Sequence, residues 1–167
     1  MIHERTIERV SEQELDSELG RFNLVTYRDC NEGEVHMALT LGEISPEEPT
    51  MVRVHNMDPL RDLFMVKRPG LWSLQAAMAE VAKAGSGVVL LLANQMTGSS
   101  LLEHLDRQLG EKSRGNANAG TYSTVGAGSQ ILRDLGVRKM RLLSKEMRFN
   151  AISGFDLEVV EYLQPQN

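Results

Sequence analysis

The residues best suited to chemistry follow an apolar strand in the stretch VRVHNMDPLRD, which begins at Val52. Arg53 carries a charge that could bind a phosphate group. His55, Asp58 and Asp62 have side chains that could bind a metal ion, although their spacing is unusual and no second histidine lies near them in sequence. The structural alternatives are that Asp58 starts a turn with the following proline, that Asp62 is solvated, and that Arg53 pairs with one of these aspartates.

Two further features could indicate a functional site. The stretch VGAGSQIL, from Val125, has a G-x-G spacing before a predicted helix, as a phosphate-binding loop has. It does not follow a clear strand, so a plain connection into a structural helix is the favoured interpretation. Cys30 is the single cysteine, which excludes an internal disulfide and any zinc site built from several cysteines of one chain.

Length and composition set limits on the kind of protein. The chain has 167 residues, near the size of one ordinary domain, and its 41% hydrophobic residues predict a packed core rather than disorder. A net charge of −5 argues against broad, nonspecific binding to nucleic acid. The N-terminus is charged throughout, and the longest apolar run, VVLLLA, is too short to span a bilayer. We therefore expect a soluble, cytoplasmic protein.

The opening third is predicted to be antiparallel β-structure. Residues 1–15 are polar and are predicted to be a linker or N-terminal arm. The alternation of apolar and polar residues in 20–29 and 35–44 predicts two strands that form a hairpin. A third strand is predicted at residues 50–56.

The remaining chain alternates helical and strand patterns. Helices are predicted at residues 71–85, 99–110, 129–137 and 146–155, strands at 87–93, 138–144 and 156–163, and a loop at 111–129. Gly85 is expected at the C-terminal cap of the first of these helices. This alternation predicts βαβ units over a mostly parallel sheet.

Three segments, GRFNLVTYRD, VRVHN and QILRDLGVRKMRLL, stand in an order that resembles GTP cyclohydrolase II. That enzyme opens the guanine ring of GTP in riboflavin synthesis, and the resemblance covers residues from about 8 to 163. It implies an α/β fold over residues 16–165, with a β-rich N-terminal part followed by a three-layer α/β part with a mostly parallel sheet. It also implies a homodimer.

The family's zinc ion, which the resemblance implies for an active enzyme, is held by three cysteines. The first lies three residues after the histidine of the strand, where this chain has Asp58. The other two form a C-x-C before the helix, where this chain reads KRPGLWSLQ. We therefore expect no metal and no cofactor, and Trp72 is expected to pack into the volume that the metal site occupies in the family.

The other family motifs are changed as well. The R-Q-E-G-R-G motif reads ANQMTG here, with Gln95 in place of the glutamate. Ala119 and Gly120 stand near the positions of the proton-transfer aspartate and its neighbouring arginine. The T-N-N-P-x-K turn reads SKEMRF, so Ser144 keeps a hydroxyl while Phe149 replaces the lysine. No catalytic residue is predicted, and Arg53, His55, Gln95 and Ser144 are candidates for a residual nucleotide-binding site.

In many bacteria this domain is the C-terminal half of a bifunctional riboflavin protein whose N-terminal half is 3,4-dihydroxy-2-butanone 4-phosphate synthase. The resemblance therefore predicts a degenerate domain of that protein, without cyclohydrolase activity, that serves as a dimerisation or regulatory module. The activity expected of the full-length protein is then the 3,4-dihydroxy-2-butanone 4-phosphate synthase activity of its N-terminal half. Its expected partners are a second copy, the synthase half and GTP or a related nucleotide, with no nucleic acid and no membrane. A nucleotide or flavin sensor that keeps part of the GTP pocket, and an enzyme with altered nucleotide chemistry, remain the alternatives.

Overall fold

The computed structural model describes residues 6–31, 33–66, 70–93, 121–144 and 156–165, and within 101–110 only Leu102, Leu105, Asp106 and Leu109. The described ranges contain seven strands: β1 (Ile7–Ser17), β2 (Gly20–Asp29), β3 (Val35–Leu41), β4 (Thr50–Asn56), β5 (Gly87–Leu92), β6 (Lys139–Leu143) and β7 (Glu158–Leu163). They also contain three helices: α1 (Pro59–Asp62), α2 (Leu74–Ala84) and α3 (Thr121–Asp134).

All seven strands form one sheet, in the order β1-β2-β3-β5-β4-β6-β7. The pairings of β1 with β2, β2 with β3 and β3 with β5 are antiparallel, and those of β5 with β4, β4 with β6 and β6 with β7 are parallel. The mixed α/β class and the predicted β2–β3 hairpin are therefore confirmed.

The prediction of a mostly parallel sheet is wrong, because antiparallel pairing holds the larger share of the registered residues. The prediction that β4 belongs to antiparallel β-structure is also wrong. The sequence pattern groups it with the antiparallel opening third, but β4 lies between two parallel neighbours, next to the central strand β5. Although only residues 42–49 separate β3 from β4 in sequence, the two strands are not neighbours in the sheet, because β5 lies between them and pairs with β3.

The core lies on both faces of the sheet, since alternate residues of β5 point in opposite directions. Val88, Leu90 and Leu92 join a cluster that includes Ile131 of α3. Val89 and Leu91 join a second cluster, to which α2 contributes the side chains of Ala77, Met78 and Val81. The strand is buried along its whole length, as its unbroken apolar sequence predicts.

Helix α2 begins and ends as its sequence predicts. The Ser73 hydroxyl accepts a hydrogen bond from the backbone N–H of Ala76 at 3.0 Å, which caps the first turn. Gly85 adopts the left-handed conformation, with φ of 83°, and its N–H donates to the carbonyl of Val81.

The predicted loop at residues 111–129 is wrong over its last nine residues, because α3 begins at Thr121. Residues 111–120 lie outside the described ranges. Gly126 and Gly128 therefore lie inside a helix, not in a phosphate-binding loop. Glycine lowers helix propensity, but tertiary packing compensates here. A Cβ atom at Gly128 would lie 3.4 Å from Leu90 Cδ2, so the glycine lets α3 lie close to β5.

The boundary predicted between residues 15 and 16 falls inside β1, which pairs with β2 along its length. The four described residues of the helix predicted at 99–110 are helical, and the helix predicted at 146–155 lies outside the described residues. Over the ranges described, no helix is long and apolar enough to cross a membrane.

Candidate functional site

The candidate site lies where the parallel strands β4, β5 and β6 end, an edge at which α/β proteins commonly bind ligands. Arg53 and His55 are two residues apart on β4, so both side chains project from the same face of the sheet. The chain then turns into α1, whose Asp62 reaches back towards β4. The structure thus brings Arg53, His55 and Asp62 together at this edge.

The guanidinium group of Arg53 donates hydrogen bonds to backbone carbonyl groups. Its Nη1 donates to the carbonyl oxygen of Leu143 at 3.0 Å, and its Nη2 donates to that of Trp72 at 3.3 Å. Burial is the main cause that lowers the pKa of Arg53 to about 10. The nearby Arg61 guanidinium contributes to this decrease, and Asp62 opposes it. The side chain therefore remains charged at neutral pH and holds β4 to β6 and to the start of α2.

His55 and Asp62 form a buried pair. His55 is fully buried, and its Nε2 lies 2.8 Å from Asp62 Oδ1. Burial lowers the pKa of His55, although the contact with Asp62 opposes this shift. The neutral ring therefore donates from Nε2, because the carboxylate can only accept. Its Nδ1 atom is buried and has no hydrogen-bond partner among the described residues.

The carboxylates of Asp58 and Asp62 accept hydrogen bonds from backbone N–H groups. Asp58 Oδ1 accepts from the N–H of Leu60 at 3.0 Å and so caps α1. Asp62 Oδ2 accepts from the N–H of Asp58 at 2.9 Å. The turn role considered for Asp58 is confirmed, whereas the expectation that Asp62 is solvated is wrong. In the described ranges no group of three or more His, Cys, Asp or Glu side chains could hold a metal ion.

Arg61 and Gln75 complete this polar network by joining α1 to the start of α2. Arg61 Nη2 donates to the carbonyl of Trp72 at 2.7 Å, the same oxygen that Arg53 contacts. Gln75 Nε2 donates to the carbonyl of Asp62 at 3.3 Å. The site can thus fix the segment after β4 in place through hydrogen bonds to backbone carbonyl groups.

Trp72 lies in the core, as the sequence predicts. It belongs to the apolar cluster on the α2 face, and its indole Nε1 donates to the carbonyl of Leu163 in β7 at 2.8 Å. Of the remaining predicted site residues, Gln95 lies outside the described residues, as do Phe149, Ala119 and Gly120. Ser144 follows Leu143, whose carbonyl Arg53 contacts, so it lies near the site. Nucleotide binding by Arg53, His55, Gln95 and Ser144 stays a prediction.

Sequence reasoning missed Arg61 and His36. Arg61 acts on a backbone carbonyl, for which the sequence contains no signal. His36 is buried on β3, and its Nδ1 accepts from the N–H of Ala93 at the end of β5, at 3.1 Å. Burial lowers the pKa of His36, and Asp29 acts in the opposite direction. The inward direction of His36 could have been read from the strand alternation, since Ala38 on the same face is buried.

Comparison with known proteins identifies the family. The family model described as GTP cyclohydrolase II matches residues 8–164. The chain belongs to the GTP cyclohydrolase II family. A protein of Pseudomonas aeruginosa named 3,4-dihydroxy-2-butanone 4-phosphate synthase is 69% identical over 98% of the chain and 45% of that protein. A protein of the same name in Pseudomonas syringae pv. tomato is 45% identical over 95% of the chain and 44% of that protein.

Among solved structures, the fold is similar to that of RibBX, a two-domain 3,4-dihydroxy-2-butanone 4-phosphate synthase from A. baumannii. The TM-score is 0.68 and the sequence identity 34%, over 96% of this chain and 41% of that one. The chain thus spans less than half the length of the curated relatives it matches.

These relatives overturn two predictions. The identification of the chain as a degenerate C-terminal domain of a protein with both activities is wrong, because the relatives at 69% and 45% identity are named for the synthase alone. The predicted function, a degenerate cyclohydrolase domain that serves as a dimerisation or regulatory module, is contradicted by the same finding.

The residues present do not fit the zinc ion that the family resemblance implies. A trio of cysteine ligands is impossible within this chain, whose only cysteine, Cys30, is exposed at the end of β2. Asp58, at the place of the first family cysteine, caps α1 with its carboxylate. No step of a reaction is therefore assigned to a zinc ion in this chain.

Proposed function

We propose that this chain is part of a 3,4-dihydroxy-2-butanone 4-phosphate synthase of riboflavin biosynthesis. The observation that carries the proposal is the 69% identity to the Pseudomonas aeruginosa protein of that name, which extends over 98% of the chain. The similarity of the fold to a two-domain synthase from A. baumannii also supports it.

We further propose that the synthase reaction takes place in the part of the complete protein that lies outside this chain, an N-terminal half according to the resemblance to GTP cyclohydrolase II. Two observations support this division. The relatives are more than twice as long as the matched region. The residues best suited to chemistry are Arg53, which backbone carbonyls engage, and His55, which is buried and contacts Asp62. An arrangement of this kind stabilises a fold, but leaves those groups poorly accessible to a substrate.

Genetic complementation tests the proposal. The full product of the gene that encodes this chain is expressed in two riboflavin-requiring bacterial strains, one without the synthase and one without GTP cyclohydrolase II. We expect growth without added riboflavin in the synthase-deficient strain, and formation of 3,4-dihydroxy-2-butanone 4-phosphate by the purified protein. Failure of a well-expressed protein to restore the synthase-deficient strain, or restoration of the cyclohydrolase-deficient strain alone, would contradict it.

A further inference from the structure

A run of exposed apolar side chains follows α1 directly. Leu63, Phe64 and Met65 are 72%, 71% and 70% exposed, and Val66 is 37% exposed. We call residues 63–66 the apolar turn. Elsewhere in the described ranges the large exposed apolar residues do not form such a run. Single exposed apolar residues are ordinary, but a contiguous group indicates a surface that contacts another protein.

The backbone of the apolar turn is fixed although its side chains are exposed. The N–H groups of Leu63 and Phe64 both donate to the carbonyl of Pro59, at 3.0 and 3.2 Å, and the N–H of Val66 donates to that of Leu60 at 2.9 Å. Met65 has a φ of 53°, a left-handed conformation that is uncommon for residues other than glycine. The turn therefore presents its side chains in a defined arrangement, which lowers the entropic cost of docking.

The polar network of the candidate site fixes α1, the helix that directly precedes this turn. The pair of His55 with Asp62 ties α1 to β4, and the contact of Arg61 with the carbonyl of Trp72 ties it to the start of α2. Leu60, on the inner side of α1, is buried. These polar contacts thus anchor a short helix whose following residues are apolar and exposed.

The start of β1 lies at the edge of the sheet that carries the apolar turn. Ile7 of β1 pairs with Asp29 at the end of β2. Near the start of β3, Met37 pairs with Leu91 of β5, which in turn pairs with His55 near the end of β4. The start of β1 therefore lies at the same edge of the sheet as the end of β4. Four strand spacings separate the two, which is about 19 Å. A domain joined ahead of β1 would emerge at the edge that carries the apolar turn.

We propose that the apolar turn is the docking surface for the N-terminal synthase half of the same polypeptide, which meets it with an apolar surface of its own. This inference rests on the proposed function. The matched region covers 45% of the Pseudomonas aeruginosa relative and 41% of the two-domain A. baumannii protein, so more than half of each lies outside the match. That remaining part has the size of a domain that could cover the turn.

Cysteine labelling of the full gene product tests the docking. Met65→Cys is compared with Leu19→Cys, a control at the opposite end of the sheet, between β1 and β2. Labelling by a maleimide is read at each position by mass spectrometry of its peptide. Met65 is more exposed than Leu19 in this chain, at 70% against 36%, so an uncovered turn would label at least as fast as the control. We expect Met65→Cys to label at least tenfold more slowly in the native protein, and equally fast in urea.

Two results would overturn the docking proposal. One is labelling of Met65→Cys as fast as that of Leu19→Cys. The other is slow labelling that becomes fast on dilution as the protein dissociates to single copies, because a second copy would then be the occupant. Both variants are also tested in the synthase-deficient strain. Growth of that strain together with fast labelling of Met65→Cys would refute the docking alone. Absence of growth of the strain that carries the unsubstituted protein would refute the proposed function.

Discussion

Two buried histidines of the described residues, His36 and His55, make folding stability dependent on pH. Burial lowers the pKa of both His36 and His55 below the ordinary value of 6.5. The unfolded chain therefore binds more protons than the folded chain once the pH falls through 6.5. The stabilisation is complete above that pH and is lost as the pH decreases towards the folded-state pKa values, with a slope of at most about 1.4 kcal/mol per pH unit for each histidine.

We expect His55→Gln to reduce this pH dependence, because the variant has no imidazole to protonate at that position. The free energy of unfolding is measured by urea denaturation of the chain between pH 7.5 and 5.0. His36→Gln serves as the matched variant and should remove the second contribution independently. Curves for the unsubstituted chain and His55→Gln that run parallel over this range would contradict the assignment.

The part of the site that could be read from sequence is the part that depends on near neighbours. The capping role of Asp58 follows from its place before Pro59, and is visible in any chain with that local pattern. The pairing of Asp62 with His55 requires the turn into α1 to fold back onto β4. The contact of Arg61 with Trp72 requires two segments to converge on one carbonyl oxygen. Neither has a signature in residue types.

Helix α3 shows how packing can override a local preference. Gly126 and the polar residues before it predict a loop, yet Gly126 lies within the helix and a Cβ atom there would meet nothing within 4 Å. Alanine favours a helix over glycine by about 1 kcal/mol. We expect Gly126→Ala to raise the free energy of unfolding by about 0.5–1 kcal/mol in urea denaturation.

Gly128→Ala is the matched control in the same helix. Its new Cβ atom would contact Leu90 Cδ2 at 3.4 Å, so the gain in helix propensity should be reduced or absent. If Gly126→Ala has no effect or destabilises the chain, residues 121–128 do not behave as a helix.

The sequence predicts a strand or a cap best where all the residues that determine it lie in one short segment. The β2–β3 hairpin and the cap at Gly85 depend on residues that are close in sequence. The partners of β4 do not, because β5 and β6 follow it at long range and the apolar pattern of β4 suits either direction of pairing. A run of apolar residues indicates a buried strand, but contains no information about the direction of its neighbours.

At the scale of the whole molecule, β1 is an integral part of the sheet rather than a linker. Ile7 is buried in the core cluster that includes α3. Arg9 Nε donates to Asp134 Oδ2 at 2.9 Å, and Tyr27 donates to the same oxygen at 2.8 Å. These contacts connect β1 and β2 to the end of α3, which follows them by 125 and 107 residues along the chain.

A chain that begins at residue 16 should therefore be much less stable than one that begins at residue 6. The shorter chain loses the buried side chain of Ile7, which contributes about 1.5–3 kcal/mol, and exposes the edge of β2 to pairing with other chains. We expect a loss of at least about 3 kcal/mol in urea denaturation, with aggregation visible by light scattering. The chain that begins at residue 6 is the control, since it keeps β1 complete. Equal stability of the two would mean that residues 6–15 are a linker, and that the domain begins at residue 16.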